Sequence, residues 1–111
     1  MSDNKIHLVL TDKWFEEIKS GRKTHEYRQA TSYYWKRLKA LGLGTQIDGN
    51  RYEVYRGSVA PKLIEFQKGY RKNAERMLFE IKQIDWLENG KLTEWVTDEP
   101  VFDIHLGVRY E

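Results

Sequence analysis

Apolar and polar residues alternate along much of this chain of 111 residues. A period of two places one side of a β-strand against a core and the other side toward solvent. The alternation occurs at residues 5–11, 62–67 and 76–88, and again near the C-terminus. The apolar positions of that last strand are Phe102, Ile104, Leu106, Val108 and Tyr110. The fold must therefore be built around a β-sheet.

Two helical patterns interrupt the strands, and both lie in the first half of the chain. Trp14, Phe15 and Ile18 fall on one helix face, and Gly21 then suits the left-handed backbone that commonly ends a helix. Residues 34–41 repeat the helical spacing. The pattern predicts an α+β fold: a small, mostly antiparallel, partly closed β-barrel of five to six strands with two helices in the N-terminal half.

Turn signals add detail to the second half. Asn-Gly at residues 89–90 is the strongest hairpin signal and predicts a short return strand at residues 92–96. The apolar face of residues 76–88 changes sides past Gln83, which predicts a β-bulge. The pattern is weakest at residues 42–60, where only residues 51–56 have the character of a strand.

Size and composition narrow the class of protein. The chain has the length of one domain, which we assign to residues 1–111. It contains no cysteine, which excludes disulfides and thiolate chemistry and is typical of a reducing cytoplasm. No apolar run approaches the length of about 18 residues that spans a membrane. We expect a cytoplasmic protein without a cofactor or a membrane partner, and we favour a monomer.

Basic residues are concentrated in the middle of the chain. Residues 19–76 carry 14 basic and 5 acidic side chains, a net charge of +9, whereas the segments on either side are net acidic. If this segment clusters in space, it forms a basic surface that attracts polyanions such as RNA. Alternatively, the segments interleave in the fold and their charges cancel.

The densest charge cluster follows the first helix, at residues 21–28. Arg28 offers a rigid fork of donors that suits a phosphate or a base edge, and Lys23 is a point charge for a phosphate or a developing oxyanion. Glu26 can accept a hydrogen bond from the exocyclic amine of a base. The alternative is a surface ion cluster of little energetic value.

A second group of basic residues surrounds an aromatic one. It consists of Lys68, Tyr70, Arg71 and Lys72. Tyr70 can stack on a base, which contributes roughly 1–3 kcal/mol, or it can plug the end of the barrel. The basic helix face of Lys36, Arg37 and Lys39 is typical of a solvated surface. The histidines at positions 7, 25 and 105 lack metal-ligand spacing, so we expect no metal site.

Gly21, Lys23, Glu26 and Arg28 together complete the pattern Gly-x-Lys-x-x-Glu-x-Arg. In this pattern, and in the order of its elements through to residues 104–107, the chain resembles the ASCH domain family, whose barrel is related to the PUA domain. The resemblance implies a module that binds RNA or a nucleotide, with the motif lining a cleft in the barrel.

One bacterial branch of the family implies a different function. Its members are similar to amidohydrolases that remove the acetyl group from N4-acetylcytidine. They pair the motif lysine with a threonine three positions later and with a glutamate from a helix. Here Glu26 occupies that position, Thr24 directly follows Lys23, and the sequence assigns no distal acid.

Three functional hypotheses follow from the sequence. The first is a non-catalytic module for RNA or a modified nucleotide, with its contacts from Arg22, Lys23, Glu26, Arg28, Lys68, Tyr70, Arg71 and Lys72. The second is an amidohydrolase acting on an acylated nucleoside, with Lys23, Thr24 and Glu26 as catalytic candidates. The third is a protein-interaction domain that uses a patch of Tyr33, Tyr52 and Tyr55.

Overall fold

A computed structural model describes residues 5–40, 46–48, 51–55, 57 and 60–111 of the chain. It is an α+β domain, and both of its helices lie in the N-terminal half, as the sequence predicts. The elements are β1 (Lys5–Leu10), α1 (Asp12–Lys19), β2 (His25–Gln29), α2 (Ser32–Ala40), β3 (Gln46–Asp48), β4 (Arg51–Tyr55), β5 (Leu63–Lys68), β6 (Arg76–Leu87) and β7 (Val101–Arg109). Within the described helices, none is long and apolar enough to cross a membrane.

The strands form one curled, mixed sheet. Its main path runs β1-β5-β6-β4-β3, and β7 joins β6 to β2. Only the β1–β5 pair is parallel among the described pairings. The long strand β6 is central to the sheet: it pairs with β5 along residues 76–80, with β4 along residues 84–86 and with β7 along residues 79–87. The prediction of a mostly antiparallel, partly closed barrel is confirmed.

The core lies on the inner side of this sheet, at the alternating positions that the sequence predicts. The helices close one side of it through Phe15, Ile18 and Leu38. A bulge in β6 is also present, just before Gln83 and not past it: the step from Ile81 to Gln83 lies opposite the single step from Leu106 to His105 of β7. The strand positions that are buried include Ile6, Leu8, Leu10, Ile64, Phe66, Met77, Phe79, Ile84, Phe102 and Ile104.

The far end of β7 departs from the predicted alternation. Val108 is 63% exposed and Tyr110 is 51% exposed, although both were expected on the inner face with Phe102. The register explains the difference, because Ile81 lies opposite Leu106 whereas Phe79 lies opposite Arg109. A step of two residues along β6, from Ile81 to Phe79, thus corresponds to a step of three along β7, from Leu106 to Arg109. Because side chains alternate between the two faces of a strand, this one extra residue turns the following side chains of β7 to the other face.

The predicted return strand at residues 92–96 is wrong. Gly90 and Thr97 form an isolated bridge, and the chain between them folds into consecutive turns. The hydroxyl of Thr93 donates to the carbonyl of Gly90 at 2.8 Å and accepts from the backbone of Trp95 at 3.2 Å. Such local side-chain bonds compete with a strand ladder. As a result this loop lies over β2, where the indole Nε1 of Trp95 donates to the carbonyl of Tyr27 at 2.8 Å.

Glu65 on β5 links β1, β5 and β6 through its carboxylate. His7 Nδ1 lies 2.8 Å from Glu65 Oε1, and Lys5 Nζ lies 3.6 Å from Oε2. Arg76 adds a third contact at 3.3 Å. Burial alone raises the pKa of Glu65, but the hydrogen bond with His7 and the charges of Lys5 and Arg76 outweigh it and hold that pKa below its usual value.

This depressed pKa predicts a loss of stability in acid. The stabilisation by Glu65 is complete above the ordinary pKa of 4.5 and disappears as the pH falls through the lower folded-state value. We expect Glu65→Gln to lower the free energy of unfolding by about 1 kcal/mol near neutral pH and to change nothing in strong acid. Urea unfolding across this range measures the difference, and Glu99→Gln, at an exposed position, is the control. A difference that stays constant with pH would contradict the prediction.

Candidate functional site

The end of α1 places the charged motif beside the barrel. Gly21 adopts a left-handed backbone with φ of 85°, and the backbone N–H of Lys23 donates to the carbonyl of Glu17 at 3.0 Å. β2 then begins at His25 and pairs with β7. Lys23 and Thr24 thus lie just before the strand, so the prediction that residues 23–28 alternate as one strand holds only from His25 onward.

Glu26 is the centre of an ion network. It is 4% exposed, and both of its oxygens are engaged by cations of the same motif. Arg28 Nε donates to Glu26 Oε2 at 2.7 Å, and Lys23 Nζ donates to Oε1 at 3.1 Å. The three charged motif residues that the sequence singles out are therefore in direct contact.

Arg28 is held from several sides. It also donates to the hydroxyl of Tyr34 at 3.0 Å and to the carbonyl of Val9 at 3.2 Å. Burial alone lowers the pKa of Arg28, but the charge of Glu26 outweighs it and, with Tyr34, keeps that pKa above its usual value. The guanidinium is fully charged, as is usual for arginine. Its orientation is fixed because β1, β2 and α2 all contribute contacts.

Lys23 contacts a second carboxylate that the sequence analysis missed. Its ammonium forms an ion pair with Glu94 and lies 4.3 Å from the centre of the Trp14 ring. Its side chain is only 12% exposed. Glu94 lies in the loop over β2, and no local motif marked it. The only signal there was Asn-Gly, which predicted a strand in place of these turns.

Two adjoining cavities lie over this network. One has a volume of about 410 Å³ and is lined by residues that include Lys23, Thr24 and His25. The other, of about 240 Å³, is lined by residues that include Glu26, Arg28 and Trp95. Since both cavities are also lined by Trp14, Tyr27 and Glu94, we treat them as one motif cleft.

Aromatic residues form the walls of the motif cleft. Trp14 is half-buried against the core, and Trp95 is 45% exposed at the rim. Burial raises the pKa of Tyr27, and the nearby charges of Asp103 and Glu94 raise it further. Tyr27 is therefore a neutral wall at ordinary pH. Arg22, also predicted as a contact, lies at the edge of the cleft and pairs with Glu17 at 2.8 Å.

The second basic group is separate from the motif cleft. Lys68 pairs with Glu16 at 2.7 Å and Arg71 with Asp12 at 2.8 Å, so acidic residues of α1 partly neutralise it. The hydrogen bond with Glu16 raises the pKa of Lys68. Lys72 is exposed beside them. These pairs favour the interleaving of charged segments over a single basic surface.

Tyr70 does not plug the barrel, because it is 88% exposed. It lines a third cavity of about 250 Å³, which it shares with Arg28 and Arg37. Arg28 therefore borders both this cavity and the motif cleft. The tyrosine patch of the third hypothesis is wrong in part, since Tyr55 is buried, whereas Tyr33 is 60% exposed. The side chain of Tyr52 lies outside the described part of the structure.

Two histidines that are far apart in sequence come together beside the cleft. His25 Nδ1 lies 2.7 Å from Asp103 Oδ1, and His105 Nε2 lies 3.2 Å from Asp103 Oδ2. Spacing along the chain could not reveal this cluster, because the pairing of β2 with β7 creates it.

Comparison of the chain with protein-family models, with curated proteins and with solved structures finds no match.

Proposed function

We propose that the chain is an ASCH-type domain that binds RNA or a nucleotide in the motif cleft. The observation that carries the proposal is the direct contact of Lys23, Glu26 and Arg28 beneath one aromatic-walled cleft. These are the charged residues of the pattern that the chain shares with that family.

The composition of the cleft favours recognition of a base. Its three cations, Arg22, Lys23 and Arg28, are matched by three carboxylates, Glu17, Glu26 and Glu94. A site with balanced charge gains little from attracting phosphate alone, and it offers donors and acceptors side by side. Stacking on an aromatic side chain adds roughly 1–3 kcal/mol per base.

The third cavity supports a ligand longer than one nucleotide. It reaches from Arg28 to the exposed ring of Tyr70, with Arg37 along the way. If one base of an RNA occupies the motif cleft, the next nucleotide of that RNA lies near Tyr70. The sugar-phosphate backbone of the RNA would then contact Lys68, Arg71 and Lys72.

Chemical-shift titration of isotope-labelled protein tests this proposal. The ligands are cytidine, N4-acetylcytidine and a short single-stranded RNA. We expect shifts at residues 21–28 and at the indole of Trp95 with all three, and additional shifts at Tyr70 with the RNA alone. The exposed surface of β6 at Lys82 is the internal control. Silence of residues 21–28 with every ligand would leave the motif as a structural ion network.

One observation favours the amidohydrolase as a second candidate. Lys23 contacts Glu94, and Thr24 lines the same cavity, so a lysine, a hydroxyl and an acid lie together. In that mechanism the carboxylate of Glu94, the acidic residue that the sequence did not assign, accepts the proton of the Thr24 hydroxyl or of a water as the oxygen attacks the acyl carbon. The ammonium of Lys23 stabilises the oxyanion that forms, and the proton passes from Glu94 to the departing amine. Release of acetate in the N4-acetylcytidine titration, lost in Glu94→Gln, supports this function. An acetyl signal that stays unchanged excludes it for that substrate.

A further inference from the structure

A polar cluster lies on the outer face of the sheet where β2, β7 and β6 are adjacent. His25 is the register partner of His105 across β2 and β7, and Asp103 is the partner of Asp85 across β7 and β6. Glu26, Phe102 and Ile104 on the same strands are buried. The intervening histidines and aspartates therefore share the opposite face.

The separations between the polar atoms of this cluster suit a shared cation. Asp103 Oδ1 is 2.7 Å from His25 Nδ1, and Asp103 Oδ2 is 3.2 Å from His105 Nε2. One ligand atom from each residue can be chosen so that all three lie within 4.8 Å of one another. Ligands at about 2.0–2.1 Å from a tetrahedral ion are separated by roughly 3.3 Å. Small side-chain movements thus bring the three atoms onto one ion.

One nitrogen of this cluster has two competing carboxylate partners. His105 Nε2 lies 3.0 Å from Asp85 Oδ2 as well as 3.2 Å from Asp103 Oδ2. A single ring N–H cannot point at two carboxylates at once. A divalent ion would interact with both carboxylates, and its charge would offset the two adjacent negative charges of Asp85 and Asp103.

We propose that His25, His105 and Asp103 bind a divalent transition-metal ion of the zinc type. Imidazole nitrogens with one carboxylate are ligands that such ions prefer, whereas Mg²⁺ and Ca²⁺ prefer oxygen. Three protein ligands leave a coordination position open. Asp85 adds negative charge beside the ion.

The site borders the motif cleft, because His25 also lines the larger of its two cavities. The inference does not depend on the proposed function, since it rests on different side chains. It reverses the expectation drawn from histidine spacing. That expectation applies to ligands close together in sequence, whereas here the sheet register brings residues 25 and 105 into contact.

Metal titration of the metal-depleted full chain tests the proposal. Calorimetry with Zn²⁺ should show one ion bound per chain, and Mg²⁺ should not compete. Co²⁺ in its place should give a visible absorption band that reports nitrogen and oxygen ligands. We expect His105→Gln and Asp103→Asn each to weaken Zn²⁺ binding at least about tenfold.

His7→Gln is the matched control. His7 also pairs with a carboxylate on the sheet, at 2.8 Å from Glu65, but lies on β1 outside the cluster. It should leave Zn²⁺ affinity unchanged, and circular dichroism should show that every variant is folded. Equal Zn²⁺ binding by wild type, His105→Gln and Asp103→Asn would overturn the proposal. So would the absence of any Zn²⁺ binding by the wild type, which would leave an ion-pair cluster.

Discussion

Replacing Arg28 with methionine is expected to destabilise the domain by roughly 3–5 kcal/mol, because the change leaves the buried carboxylate of Glu26 short of its main partner. Glu26 is 4% exposed, and Arg28 is its contact at 2.7 Å. Lys23 remains, but it is shared with Glu94. For a domain of about 100 residues each kcal/mol shifts the melting temperature by about 4–8 °C, so the fall should exceed about 10 °C.

The double variant Glu26→Met/Arg28→Met distinguishes the cost of leaving one buried charge unpaired from the net contribution of the ion pair to stability. Removing both charges should recover much of the lost stability, since a buried ion pair replaced by apolar groups of similar size is often close to neutral. The difference between the double variant and the sum of the single ones gives the coupling energy. Thermal and urea unfolding of the four proteins measures it.

Arg22→Met is the matched control for Arg28→Met. Arg22 makes the same kind of contact with Glu17, at 2.8 Å, but its side chain is 66% exposed. An exposed pair contributes little, so we expect a change within about 0.5 kcal/mol. Equal effects of Arg22→Met and Arg28→Met would show that the Glu26 network does not organise the cleft.

The fold was predictable wherever the alternation is local. The apolar positions of β1, β5 and the first half of β6 depend only on a period of two, and burial follows it. Predictions failed where strand register or a local side-chain hydrogen bond decides the outcome. Val108 faces outward because of a register shift against a strand that lies about 30 residues earlier. Residues 92–96 form turns because the hydroxyl of Thr93 bonds to the backbone of Gly90 and Trp95. Neither effect can be read from a hydrophobic pattern.

The candidate site was predictable in the same limited way. Lys23, Glu26 and Arg28 are close in sequence, and the structure places them in contact. Glu94 and the pair of His25 with His105 were missed, because each contact joins segments about 70 or 80 residues apart. The second basic group, around Tyr70, has partners that the sequence also did not indicate. The ion pairs of Lys68 with Glu16 and of Arg71 with Asp12 each join residues more than 50 positions apart.

Lys23→Met is the substitution that should most reduce ligand affinity. Lys23 lies between Glu26 and Glu94 and against the ring of Trp14, so its loss leaves the cleft with two carboxylates facing a ligand. A hydrogen bond to a charged group contributes about 1.5–3 kcal/mol. We therefore expect binding of cytidine and of a short single-stranded RNA to weaken by about 10- to 100-fold.

Lys82→Met controls for the loss of one positive charge, because Lys82 is exposed on β6 and does not line the cleft. It should leave cytidine affinity unchanged and weaken RNA only slightly. Urea unfolding of Lys23→Met must show a folded protein at the titration temperature.

The salt dependence of RNA binding then shows what Lys23 contacts. If the slope of log affinity against log salt concentration falls in magnitude by about 0.7, Lys23 contacts a phosphate. If binding is weaker but this slope is unchanged, Lys23 contacts a base. Wild-type affinity and slope in Lys23→Met would remove the motif cleft as the binding site, because no ligand could occupy it without meeting this ammonium.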